Sequence, residues 1–582
     1  MADLASLAAV STPRPPRPER LRIPGEQLLL AGLFLYVLVL VVLPLGRLFI
    51  EGLKQGEAGE WLGVVREAWA GRSFGRAFWN TLVAAGASTL LSVVLGTGAA
   101  LLLRLTDLPG RAALMFLMLL PMLIPPQISA LAWIGLGGPS SPILGLLGLA
   151  PPPGTTNPLY SMGGIIWVMG LEHAPLVLLA VAAGLASVPR DLIEAGRIVG
   201  ARPARVVVHI ILPAIAPSVL AGAALAFVSA IGNFGVPALL GIPGRVTLLT
   251  TLIYQRLNGF GPSVLGEVAA IAFVLVGLAI AGLAIRTIIQ RRSGAAIDRT
   301  GPIADPFALG RLRLPVGVLT WVGVLLISVL PLLALIATAL VPALGVKLSL
   351  ETLSFANFAW VLSGSAMVQR AFVNSTILAL IASAICCIVA VPLAYFAVTR
   401  RNRLAQLLDL LSDAPYAVPG TVLAIGIIIV FLPPLPVLGF SIYGSFAIIL
   451  AAYLSRFLLL ALRPVAATLR TVDPGLEEAA RIVGTPPLRR LWHVMTPIVL
   501  PSALAGGLLI FMSAFNELTL SALLWSTGTE TLGVMVFFLQ YEGNSPAAAA
   551  LATVITAAVM ILALIVDVIG RRFAPGVVPW QV

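Results

Sequence analysis

The passage Glu194-Ala195-Gly196-Arg197-Ile198-Val199-Gly200, nine further residues, then Ile210-Ile211-Leu212-Pro213, occurs twice in this chain. The second copy reads Glu478-Ala479-Ala480-Arg481-Ile482-Val483-Gly484, nine residues, then Val494-Met495-Thr496-Pro497, at a constant offset of 284. His209 and His493 share that register, as do Pro217 and Pro501. A repeat of this length governs the whole architecture and has to be read first. It sets one polar, Gly- and Pro-punctuated segment in each half of a very apolar protein. Two docking surfaces for a soluble partner are expected.

The chain has 582 residues, 59% hydrophobic and only 10% charged, with mean hydropathy +1.04. A water-facing domain carries roughly 25% charged residues, so lipid must be the solvent. A bilayer core takes about 20 apolar residues per helix. Such runs fall near 28–50, 78–103, 112–136, 163–187, 214–240 and 264–286, then near 315–341, 371–399, 408–433, 441–462, 498–525 and 547–570. The expected fold is all-α integral membrane, about 12 transmembrane helices in two homologous six-helix halves. The divisions are a tail (1–27), a first half (28–290), a polar turn-rich linker (291–313) and a second half (314–582). Pro121, Pro125, Pro126, Pro415 and Pro419 predict kinked or broken spans. The Pro- and Arg-rich tail lacks a cleavage pattern, so the first span reads as an uncleaved signal-anchor.

A formal charge of +12 invites a nucleic-acid reading. The placement of arginine argues against it. With the N-terminus inside, alternate segments collect 26 of the 36 basic residues, among them Arg104, Arg111, Arg197, Arg205, Arg286, Arg400, Arg463 and Arg489. That satisfies the positive-inside rule and puts both termini and both repeated segments in the cytoplasm. The first outer segment, with Lys54, Arg66, Arg72 and Arg76, runs against the trend. The adjacent Cys386 and Cys387 offer neither a disulfide framework nor a metal spacing. A phosphate-cradling loop needs Gly-x4-Gly-Lys-Ser/Thr, and the only lysines are Lys54 and Lys347, neither in that context. The chain is therefore not expected to hydrolyse ATP or to be an enzyme, and no cofactor or metal is expected.

Within each repeated segment, Val188-Pro189 or Asp473-Pro474-Gly475 ends the preceding helix. Glu194/Arg197 and Glu478/Arg481, spaced i,i+3, support one exposed helical face. Gly200 and Gly484 permit the left-handed turn that stops a helix, Arg205/His209 and Arg489/His493 follow on a second short piece, and Pro213 and Pro497 are expected to mark re-entry into lipid.

The pattern Glu-Ala-Ala, three residues, Gly, nine residues, Ile-x-Leu-Pro resembles the signature of permease subunits of binding-protein-dependent ABC importers. Gly196, Val494 and Thr496 depart from it. The resemblance implies a type I ABC importer permease fold in the bacterial inner membrane. It implies coupling roles for Glu194, Ala195, Gly200, Arg205, His209 and Pro213, and for Glu478, Ala479, Gly484, Arg489, His493 and Pro497. It also implies two ATP-binding cassette subunits and a periplasmic substrate-binding protein as partners. Asn80/Asn374, Pro121/Pro415 and Pro125/Pro419 repeat at offset 294, so about ten extra residues belong near 137–156.

The stretches 227–241 and 516–525, with Thr529-Glu530-Thr531-Leu532-Gly533, resemble the ferric iron importer permeases, related to thiamine and phosphonate permeases. A hard cation prefers oxygen ligands. Asn233 in the fifth span, and Asn516 and Glu517 in the eleventh, are candidate pathway groups or partners for one another. Glu172 and Arg456 share the 284 register and are expected to pair between the halves, with His173 packed beside them. An ion-coupled secondary transporter with two six-helix repeats is the alternative; it leaves the two patterned loops unexplained.

Overall fold

Residues 25–54, 60, 63–292, 307–435 and 439–573 are described in the structure, a computed structural model. The tail before Gly25 and most of the linker lie outside them. Among the described residues, ten apolar helices are long enough to cross a membrane, and two bent helix pairs, each taken as one span, bring the number to twelve. Spans 1 to 6 are Gly25–Gly52, Arg72–Leu105, the bent pair Arg111–Leu123 with Pro126–Leu146, Met162–Ala186, Pro203–Gly232 and Leu265–Ile288. Spans 7 to 12 are Gly310–Ala339, Ala366–Thr399, the bent pair Arg403–Ala417 with Gly420–Phe431, Phe446–Thr471, Pro487–Phe515 and Ser545–Ile565.

The bends have a local cause. A residue before proline is driven out of the helical region, and Ile124 and Val418 are extended, with ψ of 132° and 141°. The next helix starts past Pro125 or Pro419. The limbs meet at 106° in span 3 and 114° in span 9. Offset 294 therefore holds through Pro126–Gly137 and Gly420–Phe431. Offset 284 takes over at Met162 and Phe446. The extra residues lie between, where Pro142–Leu146 makes one short turn.

Spans 5 and 11 correct the sequence reading. Both begin about ten residues before Pro213 and Pro497 and end at Gly232 and Phe515. The helices run through both prolines rather than starting at them. Proline lacks an N–H and clashes with the carbonyl four residues back. Each helix accommodates this with one wide turn, Val207–Ile211 or Leu491–Met495, and continues. Asn233, Asn516 and Glu517 accordingly sit past the helix ends rather than within the spans.

Spans 2, 4 and 5 pack together, as do spans 8, 10 and 11. Small residues permit the close approach: a Cβ on Gly96 would lie 2.5 Å from the Ala174 carbonyl. Ser92 Oγ donates to Gly170 O at 2.8 Å. Its counterpart Cys386 faces Leu454 O at 3.9 Å. The first span of each half crosses to the other half: span 1 packs on the second limb of span 9, and span 7 on that of span 3. Tyr36 Oη seals the first crossing by donating to Leu454 O at 2.8 Å.

Crossing parity places both repeated segments on one face. Span 1 begins against Pro487–Arg490 beside the second segment and crosses once. Span 2 returns, ending where Thr106 bridges Phe307, whose ring lies 4.5 Å under the Arg197 guanidinium of the first.

Candidate functional site

The repeated segments form matching feet. The first is the helix Arg190–Ile198, the second Pro474–Ile482. Asp473 caps the second by accepting from Gly475 N at 2.8 Å. Gly200 and Gly484 then turn at φ +75° and +74°. Ala201 N bonds Gly196 O at 3.1 Å and Thr485 N bonds Ala480 O at 3.1 Å, closing both helix ends. His209 and His493 each set Nδ1 near the carbonyl four residues back, at 3.2 and 3.3 Å. Glu194, Ala195, Gly200, Arg205, His209 and Pro213 are exposed, and so are Glu478, Ala479, Gly484, Arg489, His493 and Pro497.

The apolar tips were missed in the sequence. Ile198 and Val199 are 86% and 83% exposed, and Ile482 and Val483 85% and 77%. The identical Arg-Ile-Val-Gly in both copies was the available signal. Exposed apolar patches on this scale mark contact surfaces, for protein or for membrane.

The feet are rooted differently. Ile193, Val206 and Leu101 share one apolar cluster beneath the first. At the equivalent positions the second foot has Glu477, Arg490 and Tyr395. Arg490 Nη1 lies 3.2 Å from Glu477 Oε1, with side chains 5% and 13% exposed. Tyr395 Oη donates to the same oxygen at 2.9 Å.

Between the halves lies a cavity of about 950 Å³. Its lining runs from Glu172, Asn233 and Arg456 near mid-span to Arg286 and Arg463 nearer the feet. Those last two arginines, assigned to loops by sequence, are within helices. Arg463 Nε donates to Asp413 at 3.0 Å and Nη1 to Asp409 at 3.3 Å. On the side away from the feet, Phe234, Tyr254 and Phe537 close the gap, with centroids 5.3 to 6.2 Å apart. Gln127 Nε2 ties the halves by donating to Asn516 O at 3.0 Å.

Glu172 and Arg456 line this cavity together but form no ion pair. Glu172 Oε2 accepts from Asn233 Nδ2 at 3.0 Å. Arg456 Nη1 donates to Val418 O at 3.3 Å, and its guanidinium lies 6.0 Å from the Tyr416 ring centroid. Each has a partner on its own side, and Arg456 is also attracted by the Glu517 carboxyl of its own half, so the expected pair is not made. His173 is buried against the cavity, with Nε2 3.9 Å from Glu172 Oε1.

The 233/517 equivalence has a structural basis. Asn233 Oδ1 accepts from Val236 N at 3.1 Å, and Glu517 Oε1 from Leu520 N at 2.9 Å. Each caps the backbone where its helix breaks. Glu517 also accepts from Ser521 N and Oγ at 3.1 and 3.2 Å. Of the three candidate pathway residues, only Asn233 lines the cavity.

Two inverted-arm halves, twin feet and a central cavity define a fused two-repeat permease. The family model for the inner membrane component of binding-protein-dependent transport systems matches residues 92–294 and again 388–579, and the chain belongs to that family. It is 27% identical over 510 residues to a probable ABC transporter permease protein of Sinorhizobium fredii, covering 86% of this chain and 88% of that one. It is 26% identical over 477 residues to an Fe(3+)-transport system permease protein of Haemophilus influenzae, covering 81% and 85%. A candidate 2-aminoethylphosphonate transport system permease protein of Salmonella choleraesuis is 29% identical over 234 residues, covering 39% and 78%. The chain is thus a multi-pass membrane component of an ABC importer, of the class that does not itself hydrolyse ATP.

Proposed function

We propose that this chain is the complete transmembrane pathway of an importer that moves ferric iron, delivered by a periplasmic binding protein, across the bacterial inner membrane. Two ATP-hydrolysing subunits engage Arg190–Ile198 and Pro474–Ile482 on the cytoplasmic side. The paired exposed tips Ile198-Val199 and Ile482-Val483 carry this reading. Closure of the ATPase pair draws the feet together. The halves then rock about their shared arms, emptying a cavity that now extends toward the feet. Two such states must lie within a few kcal/mol of each other for nucleotide to switch them.

Ferric iron follows from the motif resemblance and from the relative named for Fe(3+) transport. The match to the aminophosphonate permease supports the second reading, a phosphonate importer. The deciding experiment is ATP-dependent uptake by proteoliposomes holding this chain, its co-purified ATPase and its binding protein. Ferric iron, thiamine and 2-aminoethylphosphonate are compared. Uptake without an ATPase, driven by a proton or sodium gradient, refutes the importer reading.

A further inference from the structure

We propose that the cavity selects a dipolar solute, one presenting a positive centre to Glu172 and oxyanion oxygens to Arg456. The inference rests on the importer reading and deepens it by naming the substrate class.

The carboxyl of Glu172 and the guanidinium of Arg456 belong to different halves, line the same cavity and form no ion pair with each other. Asn233 gives Glu172 a single N–H, and Val418 takes one of the five donors that a guanidinium offers. Most of the binding capacity of both groups is unused. Isolated charges at this depth are costly, and a solute bridging them recovers the interaction that the protein forgoes. The second limbs of spans 3 and 9, Pro126–Gly137 and Gly420–Phe431, begin at the same cavity, where Pro126 and Pro419 line it. Helix N-termini favour anionic groups. His173, only 3% exposed, lines the cavity beside Glu172, with its ring toward the Met169 backbone on its own helix.

Of the neighbouring charges, Arg463 is compensated by Asp409 and Asp413, Arg286 lies nearer the feet, and Glu517 attracts Arg456 from outside the cavity lining while its carboxylate is already held by Leu520 N and Ser521. Among the described residues, no group of three His, Cys, Asp or Glu is placed to hold a metal. On this proposal a ferric ion crosses with its own oxyanion, iron toward Glu172 and the anion toward Arg456. An aminophosphonate supplies both charges in one molecule.

The test is titration calorimetry on the full chain in lipid nanodiscs. One arm compares 2-aminoethylphosphonate with ethylphosphonate and ethylamine; the other compares ferric citrate with citrate. The dipolar member of one arm should bind at least tenfold tighter than its single-charge parts, and the arm that responds identifies the source. Glu172→Gln should erase the advantage over ethylphosphonate, and Arg456→Gln the advantage over ethylamine. Arg456→Lys should retain part of it. Gly420→Ala should weaken binding several-fold, because its Cβ would lie 2.8 Å from Thr519 Cγ2 and 3.1 Å from Arg456 Nη1, crowding both cavity-lining side chains. Size exclusion and ATPase co-purification verify that each variant is folded. Equal affinity for single-charge probes, ratios unchanged in both charge variants, or no binding by a folded chain overturns the proposal. ATP-driven uptake of a non-dipolar solute would sink this proposal and leave the importer reading standing.

Discussion

Arg490→Ala should loosen the second foot while leaving the first untouched. The substitution strands the Glu477 carboxylate, 13% exposed, with only Tyr395 for a partner. Breaking one side of a buried pair costs about 3–5 kcal/mol. The retained tyrosine bond favours the lower figure. About 3 kcal/mol corresponds to roughly two orders of magnitude in a local opening equilibrium. The readout is amide hydrogen exchange across Pro474–Ile482 in the full chain, with Arg190–Ile198 as the internal reference. Tyr395→Leu, Glu477→Ile and Arg490→Val together copy the apolar root of the first foot. Replacing a buried ion pair by packed apolar residues is often neutral or stabilising, so the triple variant should recover protection near the original. If Arg490→Ala leaves exchange unchanged, or the triple variant exchanges as fast as the single one, the argument that this root anchors the second foot is wrong.

A Cβ on Gly200 or Gly484 meets no atom within 4 Å, so for Gly200→Ala with Gly484→Ala any effect comes from the positive φ, about 1–2 kcal/mol each. The pair should lower solute moved per ATP hydrolysed, with the chain still folded; unchanged stoichiometry would count against the feet as couplers. Asn374→Ala should cost about 1–2 kcal/mol, more than Asn80→Ala. Asn374 Nδ2 donates to Gly528 O and Glu530 O at 3.1 and 3.0 Å, whereas Asn80 holds only Thr247 O at 3.0 Å; chemical denaturation ranks the two. Burial pushes the Glu530 carboxyl up, but N–H groups of Gly528 and of its own backbone, with Arg370 at 3.6 Å, outweigh it and hold the pKa below the ordinary value. Its stabilisation is complete above the unfolded value of about 4.3 and fades as pH falls through the lower folded value. Glu530→Gln should therefore cost more at pH 7 than at pH 3.5; thermal melts at both would show it.

The duplicated motif and hydropathy carried the twelve spans, the twin feet and the two glycine turns, because those depend on local composition and backbone freedom. The ends of spans 5 and 11 were not legible. Hydropathy continues past Gly232 and Phe515, while the helix stops there and Asn233 and Glu517 accept from Val236 N and Leu520 N in the turn that follows. Shared register then suggested pathway oxygens at 233 and 517, where the symmetry serves backbone capping. Arg286 and Arg463 were counted with the loops because charge near a span end reads the same whether it faces water or a cavity. The polar root of the second foot depends on Tyr395 meeting residues 82 and 95 positions away, which no periodicity signals.

The exchanged first spans have a mechanical consequence. Each half is gripped by an arm belonging to the other, so the two cannot part like the jaws of a clamp. They can only pivot while interlocked. A gene cut between the halves should still yield a working pair when both pieces are made together, since the embrace needs no peptide bond. Removing either arm should instead release a half with a bare apolar flank, prone to seek its missing limb on another molecule.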